Sequence, residues 1–158
     1  MRFVALAPVS LFAVALSIAW SVAAAADDKP KWMMNSDSKQ VSLIYGDGSE
    51  ESDLVLSCAP HSNSVRIFVG ETDASLKSNV QVTTSITVGG ATVAVRGRTV
   101  PNELAGVPSF VGTLPATDPL FDALAGGTTI AIKVAKTAKQ IPLKTMGSKA
   151  AAFSKSCR

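Results

Sequence analysis

Two runs of alternating residues on either side of Gly89-Gly90 constrain the fold of this chain more than any other feature. In residues 80–88 the even-numbered positions are apolar, with Thr84 among them, and the odd-numbered positions are polar; the alternation resumes over residues 92–95. A period of two predicts strands with one buried face. Glycine also tolerates the positive φ that a tight two-residue turn requires. The sequence therefore predicts an antiparallel hairpin closed by these two glycines.

The same period of two recurs along most of the chain, with turn residues between the runs. The further runs are residues 41–45, 54–58, 65–69, 109–114, 130–134 and 141–143. No long crossover helix separates them, so the pattern predicts a mostly β fold: an antiparallel β-sandwich or partly open barrel of about eight short strands. Pro142 has no backbone N–H to donate, which favours an edge position for the last strand.

Two short helices accompany these strands. Asp118 can cap the first, Pro119 suits its first position, and Leu120 and Leu124 lie one turn apart before Gly126-Gly127 ends it. The second helix is predicted at the C-terminus. Four residues there, at spacings of four, three and four, would share one face of a helix. These residues are Met146, Ala150, Phe153 and Cys157.

Residues 1–26 have the composition of a secretory signal peptide. Of these 26 residues, 21 are apolar, Arg2 carries the only charge, and Ala24-Ala25-Ala26 fits a small-residue cleavage site. A retained membrane anchor is the alternative, since the apolar run is long enough to span a bilayer. We expect an exported chain, periplasmic or secreted, with no membrane span after cleavage. Residues 27–38 then form an N-terminal arm, and residues 39–158 a single β-rich domain.

Export changes what the two cysteines can do. Cys58 and Cys157 are the only cysteines, and an oxidising compartment allows them to pair. Only one intramolecular pairing exists, so we expect a disulfide that ties the C-terminal helix to the sheet. A free nucleophilic thiol or an intermolecular bridge are the alternatives.

Catalytic and metal-binding motifs are not found in the sequence. His61 is the only histidine, no Gly-x-Ser-x-Gly elbow occurs, and no glycine-rich loop has the context of a phosphate site. Glu103, Asp118 and Asp122 are the only acids after residue 89, and their spacing selects no catalytic pair. We therefore expect a non-catalytic protein without a metal or cofactor. A small secreted hydrolase of envelope glycan or peptide is the alternative, and it requires these four residues to converge in a cleft.

Two segments are candidates for binding a partner. The irregular stretch of residues 97–108 presents Val100, Leu104 and Val107 on a loop, and loops held by a rigid sheet are common contact sites. The same residues can instead fold onto the core.

The second candidate segment is basic. Residues 27–89 carry a net charge of −4 and residues 90–158 a net charge of +6. Lys136, Lys139 and Lys144 belong to this basic end, which suits an envelope protein or an anionic envelope component. An ordinary solvated surface is the alternative. No aromatic residues are interleaved with the lysines, so nucleic acid is not the expected partner.

The order of these features resembles a group of small exported bacterial envelope proteins. Trp32 precedes a strand, a Leu-x-Leu-x-Cys strand follows at residues 54–58, and a short helix closes with Cys at residues 153–157. In this order the chain is similar to type VI secretion-associated accessory proteins, and its ending from residue 141 onward resembles the invasion-associated locus B family. Both resemblances imply an accessory or host-contact role without catalysis.

Overall fold

A computed structural model describes residues 29–47 and 52–158 of the chain, which form nine strands and two helices. The strands are β1 (Lys31–Ser36), β2 (Val41–Gly46), β3 (Leu54–Cys58), β4 (Ser64–Val69), β5 (Gln81–Val88), β6 (Ala91–Val100), β7 (Ser109–Pro115), β8 (Thr129–Val134) and β9 (Thr137–Pro142). The helices are α1 (Pro119–Gly126) and α2 (Lys149–Cys157).

All nine strands form one antiparallel sheet in the order β1-β2-β3-β4-β7-β6-β5-β8-β9. The sheet curls into a half-barrel, which confirms the mostly β, partly open architecture predicted from the alternation. Gly89 and Gly90 close the β5–β6 hairpin with φ of 56° and 88°, as predicted. β9 is an edge strand, in agreement with Pro142.

The core fills the inner face of the curled sheet. α1 packs against β5 and β6, α2 packs against β1 and β2, and the two helices contact each other. Asp118 caps α1 through a hydrogen bond from the Leu120 N–H to its carboxylate at 2.9 Å. Of the four residues predicted to share one face of the C-terminal helix, three lie in α2 and Met146 precedes it in a turn, so the helix begins later than predicted; all four are buried.

A glycine pair lies near the middle of the inner face. Gly97 of β6 and Gly112 of β7 are directly opposed, and the buried Phe110 ring lies against both. The ring takes the space that two Cβ atoms would occupy, so this part of the core depends on both glycines.

Trp32 connects the two edges of the sheet. Its indole N–H donates to the Pro142 carbonyl at 2.8 Å, and its backbone N–H donates to Thr145 Oγ1 at 3.2 Å. Its ring is also tilted against Tyr45, with centroids 5.3 Å apart. Edge strands with unpaired N–H and C=O groups invite association, and these bonds occupy part of both edges.

The structure differs from the sequence prediction at three further places. Residues 31–36, within the expected N-terminal arm, form β1, because Trp32 packs inward and the backbone pairs with β2. The last strand begins at Thr137, since only Ala135 and Lys136 form the turn. Val100, expected on a loop, is the last residue of β6 and pairs with Ser109.

The predicted disulfide is present. Cys58 and Cys157 are bonded with an S–S distance of 2.02 Å. Both are buried, so the bond fixes the end of α2 against the end of β3. A buried disulfide is compatible with an oxidising compartment.

The expected signal peptide, residues 1–26, lies outside the described residues. Among the residues that are described, no helix is both long enough and apolar enough to cross a membrane.

Candidate binding site at the loop end

Antiparallel pairing gathers four connections at one end of the sheet. β2, β4, β6 and β8 end there, and β3, β5, β7 and β9 begin there. We call this the loop end; in the described residues it consists of residues 47, 52–53, 70–80, 101–108 and 135–136. The disulfide and both helices lie toward the opposite end, which we call the disulfide end.

The β4–β5 connection, residues 70–80, holds the loop end together. The Thr72 N–H and hydroxyl both donate to the Pro108 carbonyl, at 2.9 and 2.6 Å. The Asp73 carboxylate accepts a hydrogen bond from the Lys136 N–H at 2.9 Å. This connection therefore joins the 101–108 loop on one side to the 135–136 turn on the other.

Asp73 is the centre of that arrangement. It is 7% exposed, and its carboxylate also accepts hydrogen bonds from the Ser75 hydroxyl and N–H at 2.6 and 2.9 Å. The Ser75 hydroxyl, followed by the Ser75 and Lys136 N–H groups, lowers the pKa of Asp73. Hydrogen bonds to a carboxylate favour its charged form, so Asp73 is an anion at neutral pH.

A cleft of about 430 Å³ lies between the 101–108 loop and the adjacent ends of β2, β3 and β4. Leu104 lines it and is 69% exposed, the only strongly exposed large apolar side chain in the described part of the chain. Small ligand sites have volumes of roughly 300–1,000 Å³, so the cleft is large enough for a side-chain cluster or a small ligand.

Acidic side chains also line this cleft. Glu71 and Glu103 are exposed, and Asp53 forms an ion pair with Lys139 at 3.0 Å. Burial, and secondarily the Asp53 charge, raises the pKa of the neighbouring Tyr45, so its phenol is protonated at neutral pH. The cleft thus presents negative charge beside one exposed leucine.

The predicted partner-binding residues divide between the two ends of the sheet. Leu104 and the partly buried Val107 lie on the 101–108 loop, with Lys136 in the 135–136 turn and Lys139 near the start of β9. The structure therefore brings the two predicted segments to one end. Lys144, just after β9, lies toward the disulfide end, and the ammonium of Lys139 is engaged by Asp53.

The four predicted catalytic candidates do not converge. Glu103 lies at the loop end, whereas His61, Asp118 and Asp122 lie toward the disulfide end. Asp118 is used to cap α1, and Asp122 pairs with Arg158 at 2.6 Å. His61 lines a separate groove and its backbone donates to the Ser156 carbonyl. Within residues 29–47 and 52–158, no group of three potential metal ligands occurs.

Sequence reasoning missed Glu71 and Asp73 as loop-end residues. Both lie in the connection that follows β4, two and four residues after its last residue, and this position is the only signal in the sequence that points to them. The role of Asp73 depends on Lys136, 63 residues away in the sequence, and the alternation does not encode that the two are close.

Comparisons with protein families, with curated proteins and with solved structures found no match to this chain.

Proposed function

We propose that the protein is a non-catalytic exported protein of the bacterial envelope that binds another protein through the loop end. The observation that carries the proposal is Leu104, which is 69% exposed and lines the cleft of about 430 Å³ at the loop end. Binding residues are disproportionately found on loops that a rigid sheet positions, and Leu104 presents an apolar side chain on such a loop.

The charges at the loop end favour a protein partner over a polyanionic envelope component. Glu71 and Glu103 face the cleft, and Lys136 lies on the adjacent turn. A polyanion is repelled by the two carboxylates, whereas a protein surface can complement both signs. The distribution of His61, Asp118 and Asp122 toward the other end supports binding rather than catalysis.

Capture from an envelope extract by the exported chain, residues 27–158, tests the proposal. Leu104→Ser removes the apolar contact, and burial of a leucine contributes about 1.5–3 kcal/mol. We therefore expect at least a tenfold loss of one specific protein that the wild type retains. Lys136→Glu is expected to weaken capture less, and Lys144→Glu, at the disulfide end, serves as the matched control. Equal capture by wild type and Leu104→Ser contradicts the proposal.

The alternative, a small hydrolase of envelope glycan or peptide, has one observation in its favour. Glu71 and Glu103 line the same cleft, and two carboxylates across a cleft are the machinery of glycoside hydrolysis. Turnover of an envelope glycan or peptide by the wild type, abolished by Glu71→Gln or Glu103→Gln, decides for the hydrolase.

A further inference from the structure

Every charged side chain on the strands is basic. In the described residues the nine strands contain six basic residues and no Asp or Glu. Lys139 pairs with Asp53, and the other five are exposed and form no ion pair within the described chain. These five are Lys31, Arg66, Arg96, Arg98 and Lys133. The strands therefore give the outer face of the sheet, opposite the core, positive charge only.

Three of these cations form a cluster, which we call the arginine patch: Arg66 of β4 and Arg96 and Arg98 of β6. Strand β7 lies between β4 and β6, and its Gly112 pairs with Ile67 on one side and with Gly97 on the other. Arg66 directly precedes Ile67 in the chain. The other two arginines flank Gly97. A strand spacing of about 4.8 Å and a rise of about 3.4 Å per residue therefore place the three Cα atoms about 7–12 Å apart.

The guanidinium groups of this patch are available to an anion. The described chain has four arginines, and the fourth, Arg158, is held by Asp122 and by the Ala116 carbonyl. The exposed Glu71 and Glu103 line the cleft at the loop end, and in the described chain neither forms an ion pair with the patch. Arginine binds phosphate through paired hydrogen bonds, whereas lysine acts as a point charge. The concentration of arginine here therefore favours phosphate as the anion.

Uncharged polar side chains lie between and beside the arginines. Each arginine is opposite an exposed polar residue of a neighbouring strand. These residues are Thr113, Thr83 and Gln81, opposite Arg66, Arg96 and Arg98 in that order. Hydroxyl and amide groups both donate and accept hydrogen bonds, as sugar hydroxyls require of a partner. The patch thus combines separated positive charges with neutral hydrogen-bonding groups.

The shape of the patch suits an extended ligand. The groove beside Arg96 has a volume of about 190 Å³, which is below the roughly 300–1,000 Å³ of small-ligand sites. No aromatic and no large apolar side chain of the described strands is exposed. Single-stranded nucleic acid is therefore denied stacking contacts, and a membrane is denied the apolar side chains that insert at its surface.

We propose that the arginine patch binds a phosphorylated glycan, a polymer whose phosphate groups are separated by neutral sugars. The arginines bind the phosphates, and the threonine and glutamine side chains hydrogen-bond to the sugar hydroxyls between them. This site goes beyond the protein contact at the loop end, because it uses neither Leu104 nor the cleft. One exported protein then has a face for an envelope polymer and an end for a protein partner.

Binding of the exported chain to fluorescently labelled phosphomannan, measured by fluorescence polarisation, tests the proposal. The affinity is expected to fall as salt rises from about 50 to about 200 mM, because binding of a polyanion releases its counterions. The same mannan after enzymatic removal of its phosphates is expected not to bind. Leu104→Ser is expected to bind phosphomannan like the wild type, which separates this site from the loop end.

Exposed substitutions identify the patch as the binding site. Replacing its three arginines by glutamine is expected to weaken binding at least about tenfold, because three charge-assisted contacts are lost. Replacing them by lysine keeps the charge but not the paired hydrogen bonds, so its affinity is expected to lie between those of wild type and glutamine variant. The triple variant Lys39→Gln, Lys144→Gln and Lys155→Gln removes the same charge at the disulfide end and is the matched control. Circular dichroism verifies that all variants fold.

The competing ligands supply the outcomes that overturn the proposal. Polyglutamate that binds as tightly as phosphomannan assigns the patch to acidic proteins, and phosphatidylglycerol vesicles that do so assign it to a lipid surface. No binding of phosphomannan, equal binding of the dephosphorylated mannan, or equal losses in the arginine-to-glutamine variant and the lysine control also contradict it. Lysine replacements that bind like the wild type exclude the role of the guanidinium groups.

Discussion

The carboxylate of Asp73 accepts a hydrogen bond from the backbone N–H of Lys136 at 2.9 Å, across 63 positions of the sequence. Through this bond the connection after β4 positions the turn between β8 and β9. The two Thr72 bonds to the Pro108 carbonyl act on the other side of the same connection. The loop end is therefore one hydrogen-bonded unit rather than four independent loops.

Asp73→Asn is expected to destabilise the protein at pH 7 and much less at pH 3. The pKa of Asp73 is lowered in the folded state, so the charged carboxylate contributes stability above the unfolded-state pKa of about 3.9. That contribution is lost as the pH falls through the folded-state pKa. Urea unfolding of wild type and variant at both pH values measures the difference.

Hydrogen exchange provides the control for this prediction. The Lys136 amide is expected to exchange faster in Asp73→Asn, because a neutral amide oxygen accepts a weaker hydrogen bond than a carboxylate. Asp37→Asn is the matched control, since backbone N–H groups of Lys39 and Gln40 also lower the pKa of Asp37, but at the disulfide end. An unchanged Lys136 exchange rate in Asp73→Asn contradicts the role assigned to this carboxylate.

Replacing Cys58 and Cys157 by serine is expected to lower the free energy of unfolding by about 2–5 kcal/mol. The bond joins residues 99 positions apart and anchors α2, so hydrogen exchange in α2 is expected to rise before that in the sheet. Ser156→Ala, an exposed-hydroxyl change in the same helix, is the control. Equal stability of the double variant and the wild type would refute the prediction.

Thr84→Val is expected to raise the free energy of unfolding by about 1 kcal/mol. Thr84 is fully buried in β5, and its hydroxyl has no hydrogen-bond partner among the described residues. Valine has nearly the same shape and removes the cost of burying that hydroxyl.

Thr99→Val is the matched control for Thr84→Val. Thr99 is equally buried, but its hydroxyl donates to the Lys77 carbonyl at 2.7 Å and accepts from the Val80 N–H at 3.0 Å. Thr99→Val leaves the Lys77 carbonyl and the Val80 N–H without this hydrogen-bond partner, and it is expected to lower the free energy of unfolding by about 1–3 kcal/mol. Thermal melts of the two variants check the opposite signs, and shifts in the same direction would contradict the argument.

Gly97→Ala is expected to lower the free energy of unfolding by about 1–3 kcal/mol. A Cβ at this position would overlap the Val111 carbonyl oxygen and lie 2.6 Å from the Phe110 ring. At Gly126, at the end of α1, an added Cβ would have no atom within 4 Å. Gly126→Ala is therefore expected to raise the free energy of unfolding by about 0.5–1 kcal/mol, since alanine is the better helix former. Denaturant midpoints test both, and a neutral Gly97→Ala would show that the core can accommodate the methyl group.

The strands were predictable because each follows from its own local pattern. Residues 80–95 carry both the alternation and the Gly-Gly turn, so the β5–β6 hairpin needs no other part of the chain. β1 was missed because its inward residues, Trp32 and Met34, lie in a segment whose other side chains are mostly polar. The start of β9 was missed because Thr137, Ala138 and Lys139 have little apolar character, and pairing with β8 decides their conformation.

The candidate site was less predictable than the fold. Leu104 was recognisable as a candidate from its place in an irregular stretch, and the structure leaves it exposed. Its proximity to Glu71 follows from the order in which β4, β7 and β6 are paired. A period of two indicates which residues face inward, but it does not indicate which strand lies beside which.

The bond between Cys58 and Cys157 also makes most of the domain a single covalent ring. The 101–108 loop, with its exposed Leu104, lies inside that ring. A protease that cuts there opens the ring without releasing a fragment, and the two pieces stay attached until a reductant separates them. In an environment rich in proteases, the loop best suited to contact another protein is thus also a segment where cleavage does not separate the two pieces of the domain.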